Sequence, residues 1–567
     1  MEIVAFEINK ELQMKKAFKQ FLALGLGLLI FVACTGEEKS REDKIASMMT
    51  EMNSPFFMMN MNPQNLMDKS GVMDGVLPFT YELILSFFID ESVTGIDYST
   101  DAQVIVTNGS GFTPDFFVIF KIKDEGTFVE LLEKEANAKI EEKEEFKYAI
   151  KKSDSYAVTW NEEFAILANI PIDITAMFQG GGDQGQKTVD KTIRYIKAAD
   201  EKEPIAEFSE FFKRENDMSM HFDGEGFYSF FSEMSMGETE EIEAMKETFE
   251  GMSMDFSMNF NDGNFVMEYA STIAEDIKAK YDFVGETGVD ASLLNYANGR
   301  NPILSGSYNV NSGGMLDYVD SEMDERQSEQ FNEALSEMGI VSDDISAALT
   351  GQLVYMIDGY ETREIVYDYG YDEQYVEKQQ VPLFAVVAEV NDPAEFDVML
   401  EEAEQLQNGV YVLGEAFIVL NDEVFFASND STWSNRIVAG NGTTISDPHK
   451  VLTEKPFGIY ADFAALAQMD GLNDLEPYVN LMVDFYGSAD MDGGQFTFTM
   501  QDDSKNSLRI LTETVADALN RMDEMANPDI QSDLDAAVEE GLKELEDVDA
   551  EETVDDALKA LEESFEE

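Results

Sequence analysis

The chain has 567 residues and carries 115 Asp and Glu against 38 Lys and Arg, a formal net charge of −77 at pH 7. Nucleic acid is excluded as a natural partner, because its phosphates meet no basic stripe, and an anionic lipid surface gains nothing from such a charge. Disorder is excluded too: 44% of residues are apolar, with 41 Phe, 21 Tyr and two Trp, enough for a sizeable core.

Acids spread along nearly the whole chain suit salty surroundings, where screening shortens their mutual repulsion to about 10 Å or less. A saline habitat is the expectation, with a fold that loosens at low ionic strength. The length exceeds what one core serves, so at least two domains are expected.

From Met14 the chain reads as a secretory signal, and Met14 is the expected true start. Lys15, Lys16 and Lys19 form a basic region, and an apolar run follows from Phe21 to Ala33, ending at Cys34. The run falls short of the roughly 20 apolar residues a membrane span needs. Cys34 is the only cysteine, so no internal disulfide can form. The run Phe31-Val32-Ala33-Cys34 resembles a lipobox, the signal at which diacylglycerol is joined to a cysteine thiol; Phe31 stands where Leu is usual. The resemblance implies lipidation at Cys34 and anchoring to a membrane, with several acyl chains giving stable attachment. Glu37 and Glu38 just after the cysteine resemble the export signal of surface lipoproteins in Bacteroidota, and equally suit a solvated tether. Residues 35–51 read as a polar linker.

Beyond the linker one pattern occurs twice. Phe116-Phe117-Val118-Ile119-Phe120-Lys121-Ile122-Lys123-Asp124, with Phe128 and Leu132, matches Phe384-Ala385-Val386-Val387-Ala388-Glu389-Val390-Asn391-Asp392, with Phe396 and Leu400. Each copy reads as a buried strand, an Asp-led turn and an amphipathic helix. Upstream, Pro55–Asn60 answers Pro302–Ser307, and Val93-Thr94-Gly95 answers Leu349-Thr350-Gly351. Downstream, the polar trio after Trp160 answers the trio after Leu420 as a hairpin turn, and Asp217–Phe222 answers Lys455–Tyr460. A last hairpin turns at Asn261-Asp262-Gly263-Asn264 in one half and at Asp490-Met491-Asp492-Gly493-Gly494 in the other. This ordered series of matches predicts two homologous halves, 52–275 and 300–525, each α+β with antiparallel sheet and helices. The alternation at 252–260 predicts one apolar and one polar sheet face.

This layout behind a lipoprotein signal resembles the domain-of-unknown-function 4836 family, uncharacterised lipoproteins of Bacteroidota. The resemblance covers the chain to about residue 525 and implies no catalytic residues. The tail, 528–567, reads as acidic amphipathic helices: Leu534, Val538, Leu542 and Leu545 share one face, as do Val554, Leu558, Leu561 and Phe565.

Candidate chemistry is sparse. His221 lies in a strand and His449 in a loop, at non-equivalent places, so a histidine triad or multi-histidine zinc site is not expected. Asp490, Asp492 and Gly493 suggest a calcium loop, but Asn-Asp-Gly and its counterpart are also hairpin turns. Met218-Ser219-Met220, Met234-Ser235-Met236 and Met252-Ser253-Met254 place thioethers at a spacing that serves Cu(I), a Met-lined groove or an ordinary core. The run Gln179–Gly185 lacks the Lys of a phosphate loop. Tyr360, Tyr367, Tyr369, Tyr371 and Tyr375 suit stacking on sugar or peptide, or packing along an edge. The expectation is a non-catalytic binding or assembly component of the cell envelope, held at the outer membrane through Cys34, with no cofactor and no metal. The alternatives are a carboxylate-only hydrolase, such as a glycoside hydrolase, and a carrier of lipid or hydrophobic peptide.

Overall fold

The computed structural model describes residues 39–526 apart from 75–89, 110–112, 135–137, 152–154, 171–183, 235–245, 247–248, 324–327, 329–345, 368–374, 402, 407 and 469–480. Cys34, Tyr369, Tyr371, Met236, residues 180–182 and the tail 528–567 therefore lie outside the described residues. The fold is α+β: helices on a large antiparallel sheet.

The strands are β1 (Pro55–Met61), β2 (Ala102–Thr107), β3 (Asp115–Phe120), β4 (Ile140–Lys143), β5 (Phe146–Lys151), β6 (Tyr156–Trp160), β7 (Ala165–Asn169), β8 (Met218–Asp223), β9 (Ser253–Asn261) and β10 (Asn264–Thr272). They continue as β11 (Leu304–Asn309), β12 (Leu349–Tyr367), β13 (Tyr375–Val390), β14 (Glu404–Gln405), β15 (Tyr411–Leu413), β16 (Ala416–Leu420), β17 (Val424–Ser428), β18 (Phe457–Asp462), β19 (Met482–Asp490) and β20 (Gly493–Met500).

Pairing in the first half runs β4-β5-β6-β7-β3-β2-β1-β8-β9-β10. In the second it runs β14-β15-β16-β17-β13-β12-β11-β18-β19-β20, the same order with every number raised by ten. The two runs join where β10 pairs with β20. Asn264 and Gly493 each open the strand after their hairpin, so Met267 and Phe496 are both fourth residues, and they face each other across the join. Equivalent positions meeting in an antiparallel pair define a local two-fold normal to the sheet, as in an isologous interface.

Three helices cover one face of the first half: α1 (Arg41–Met48), α4 (Gln184–Glu201) and α5 (Ala206–Phe212), with α2 (Pro63–Ser70) and α3 (Glu125–Lys134) on the other. α4 packs on β5, β6 and β7, and α1 packs on α4 and α5. Their core gathers Ile45, Met48, Phe117, Phe146, Ile193 and Phe211. The opposite core gathers Leu66, Met67, Phe120, Phe128, Leu132 and Trp160, with Leu508 and Leu511 from the long C-terminal helix Ser507–Ala526. In the second half, Trp433 of helix Ser431–Val438 packs with Leu293, Leu294 and Leu452 over Val354, Val387 and Phe426.

One expectation is corrected. Residues 35–51 are not all linker: Ser40 Oγ accepts from the Asp43 amide at 3.1 Å and caps α1, and Ile45, Ala46 and Met48 are wholly buried. Ile45, Met48, Met49 and Met52 recur at the helical spacing, and each buried side chain contributes about 1.5–3 kcal/mol.

Candidate functional site

The polar residues of the first half converge where the loop after α5 meets the ends of β1 and β2. A hollow of about 410 Å³ there is lined by Glu42, Asn62, Asn65, Asp101, Lys213, Arg214 and Asn216. Asp101 is the acid a hydrolase would need, since burial pushes its carboxyl above the ordinary range. Its oxygens, however, accept from Asn60 Nδ2 at 3.4 Å and Asn62 Nδ2 at 3.2 Å.

The neighbours are committed as well. Lys213 donates to Asp43 at 2.7 Å, Arg214 to Asp255 at 2.5 Å, and Asn65 to Asp217 at 2.5 Å. Asn216 donates to Ser219 and Ser257 at 3.1 and 3.0 Å. The ion pair with Lys213, backed by Ser209 and Ser40, draws the Asp43 carboxyl down to about 2. A ligand entering this hollow would have to break bonds already made. Beneath it, Arg41 is buried over the Phe164 ring at 5.2 Å, and burial lowers its guanidinium to about 10 against the pull of Glu42 and Asp101.

The two histidines stay apart. His221 Nδ1 lies 2.6 Å from Asp255, whose other oxygen holds Arg214. Burial raises the Asp255 carboxyl, but the bonds from His221 and Arg214 outweigh it and leave it below its usual value. His449 Nδ1 lies 2.8 Å from Ser305 Oγ, with the ring tilted against that of Tyr460 at 3.7 Å between centroids. That pair has the elements of a nucleophile and base, and the sequence did not suggest it, since 144 residues separate them. Ser305 is 0% and His449 1% exposed, so substrate cannot reach either.

The acidic turns are occupied as turns. Asp490 Oδ1 accepts from the Asp492 and Gly493 amides at 2.9 Å each, and its other oxygen lies 3.0 Å from Lys455. Asp492 bonds Lys278 at 2.6 Å. Among the described residues no group of three or more metal-ligating side chains converges.

The methionines form a ladder. Met61, Met218, Met258, Met267 and Phe496 face one another in register across β1, β8, β9, β10 and β20. The next row is Met59, Met220, Phe256 and Tyr269. Ser253, Asp255, Ser257 and Asn259 take the alternate positions of β9, so the expected apolar and polar faces both exist. The tyrosine insertion is the outer end of the long β12–β13 hairpin, where Tyr367 pairs with Tyr375, and Tyr360 donates to Gln468 at 3.4 Å.

A second hollow, about 360 Å³, lies on α4 between Lys143, Asp190, Arg194, Lys197, Lys202, Glu51 and Glu144. Its charges alternate: Lys143 bonds Asp190 at 2.6 Å, Lys202 lies 3.0 Å from Glu51, and Lys197 bonds Glu144. Among the described residues no helix is long and apolar enough to cross a membrane.

No family model matches the chain, and no curated protein matches it. Solved structures of TP0453 in crystal forms III and I are similar at TM-scores of 0.26 and 0.24, each with 8% identity. They span 45% and 43% of this chain and 91% and 85% of their own. Likeness at that level carries no argument about fold or function.

Proposed function

We propose that the chain is a lipid-anchored, non-catalytic binding or assembly component of the cell envelope, built from two homologous halves and held at the outer membrane through Cys34. Membership of the domain-of-unknown-function 4836 family and an acidic helical tail at 528–567 belong to the same proposal. The observation that carries the non-catalytic reading is the commitment of polar groups: Asn62, Asn65, Lys213, Arg214 and Asn216 of the larger hollow already bond Asp101, Asp217, Asp43, Asp255, Ser219 and Ser257, and the Ser305–His449 pair is sealed.

Duplication is supported by a detail repeated atom for atom. Asn169 accepts from the Phe116 amide at 2.7 Å and donates to the Pro114 carbonyl at 3.0 Å. Asn429 accepts from the Phe384 amide at 3.0 Å and donates to the Pro382 carbonyl at 2.8 Å. The hairpin turns repeat likewise: Asn161 Oδ1 takes the Glu163 and Phe164 amides, and Asn421 Oδ1 takes those of Glu423 and Val424. A second reading, carriage of a lipid or hydrophobic peptide, is favoured by the Met and aromatic rows, several of whose members are only half-buried.

Metabolic labelling with a palmitate analogue, comparing wild type with Cys34→Ala, tests the anchor. Label in wild type alone is the expected result, and protease shaving of intact cells then separates surface from interior. Equal label in both proteins ends the proposal.

A further inference from the structure

We propose that the helical layer of the first half, α1, α4 and α5, is the surface that rests against phospholipid headgroups; this rests on the lipidation of Cys34 proposed above. Three observations point the same way. The first is reach. Five residues lie between Cys34 and the capping Ser40, and a chain extends at most about 3.6 Å per residue, so the start of α1 stands within about 20 Å of the lipidated cysteine. Lys39 bonds the Lys202 carbonyl, which brings this entering strand of chain across the C-terminal end of α4.

The second is charge. Residues 39–54 and 184–217, which build this layer, contain ten Lys and Arg and eleven Asp and Glu. All other residues together contain 28 Lys and Arg against 104 acids. The layer is nearly neutral on a body that is otherwise strongly anionic. An anionic bilayer repels the strongly acidic rest of the surface, whereas a layer whose Lys and Arg nearly balance its acids meets little repulsion. A body tethered at this point therefore turns the layer inward and its acidic surfaces outward.

The third is the pattern of those charges. In the α4 hollow, Lys143, Lys197 and Lys202 alternate with Asp190, Glu144 and Glu51. These pairs are largely solvent-exposed and so cost little to exchange, and a zwitterionic headgroup, with a phosphate and an ammonium a few ångströms apart, replaces both signs at once. A uniformly basic patch would serve the phosphate alone.

The test is an amine footprint. The exported chain, from Cys34 on, is coupled through that cysteine to maleimide-lipid vesicles of phosphatidylethanolamine and phosphatidylglycerol. Lysine acetylation is then read by mass spectrometry against the uncoupled protein. Coupling replaces acylation, so a failure here is separate from failed palmitate labelling, which would remove only the native anchor. Lys197, Lys202 and Lys213 are 34%, 48% and 47% exposed and able to report. Their acetylation is expected to slow about three-fold or more, as for amines held within a Debye length of the headgroups. Lys134 on α3 and Lys505 before the C-terminal helix, on the opposite face, are expected to be unchanged. Charge reversal at Lys197 and Lys202 should abolish the protection of Lys213. Protection of Lys134 and Lys505 instead, or of no lysine, overturns the inference. So does protection that rises with protein concentration without vesicles, which would make the layer a contact between two copies.

Discussion

His449 makes the stability of the second half depend on pH in a window that can be calculated. Its imidazole is buried against Ser305 and Tyr460, and burial lowers its pKa from 6.5 to about 4. Between those values the unfolded chain takes up a proton that the folded protein refuses. The group's contribution is therefore complete above pH 6.5 and is lost as pH falls toward about 4. The gap corresponds to about 3 kcal/mol. His449→Gln keeps a hydrogen-bonding partner for Ser305 and cannot titrate. The two tryptophans make the measurement selective, because Trp160 lies in the first-half core and Trp433 in the second. In a Trp160→Phe background, urea unfolding followed by Trp433 fluorescence reads the second half. Wild type should lose about 3 kcal/mol more than His449→Gln between about pH 7 and pH 4. The carboxylates titrate in both proteins, so the difference isolates the histidine. Parallel pH profiles would refute the reasoning, since they would mean that His449 meets water in the folded state.

Removing the repeated asparagine in either half should cost about 1–3 kcal/mol, because the Phe116 or Phe384 amide loses its partner. Trp160 fluorescence should report Asn169→Ala, and Trp433 fluorescence Asn429→Ala; no change in either midpoint would reduce the repeated motif to a surface ornament. Ile45→Ala should lower stability by about 2–5 kcal/mol, as for a methyl-rich side chain removed from a closed core. A thermal midpoint equal to wild type would return residues 41–51 to the role of linker.

What the sequence disclosed depended on the range of the interaction. Asn161 and Asn421 sit inside the turns they make, and Asp124 and Asp392 cap the helical turns they precede, at 2.8 and 2.9 Å. Local chemistry of this kind is written in neighbouring residues, and strand–turn–helix units could be matched from it. Asn169 and Asn429 act on residues more than forty positions away, so nothing beside them in the chain marks them out. The Ser305–His449 pair was hidden for the same reason. α1 was a different failure: Ile45, Met48, Met49 and Met52 already show the helical spacing, but the charged run Lys39–Lys44 outweighed it in a reading by composition.

Charge was the quantity that averaging concealed most. Acids do occur in nearly every segment, so a single net value suggests an evenly anionic surface. Folding gathers the opposite sign: α4 lies on β5–β7 and α1 packs on α4, so basic residues far apart in the chain come into one layer. The sorting also breaks the pseudo-symmetry. Strand order is common to both halves, but the second half has Ser431–Val438 where the first has the 18-residue α4. The repeated strand order ends at the join, where Met267 faces Phe496. The helices differ around it: α4 and Ser431–Val438 each pack on strands of their own run, whereas Ser507–Ala526 crosses to α2 and β9. On the proposed anchoring at Cys34, the long, charge-balanced α4 lies on the half nearer the tether, so the asymmetry falls on the side that anchoring would turn to the membrane.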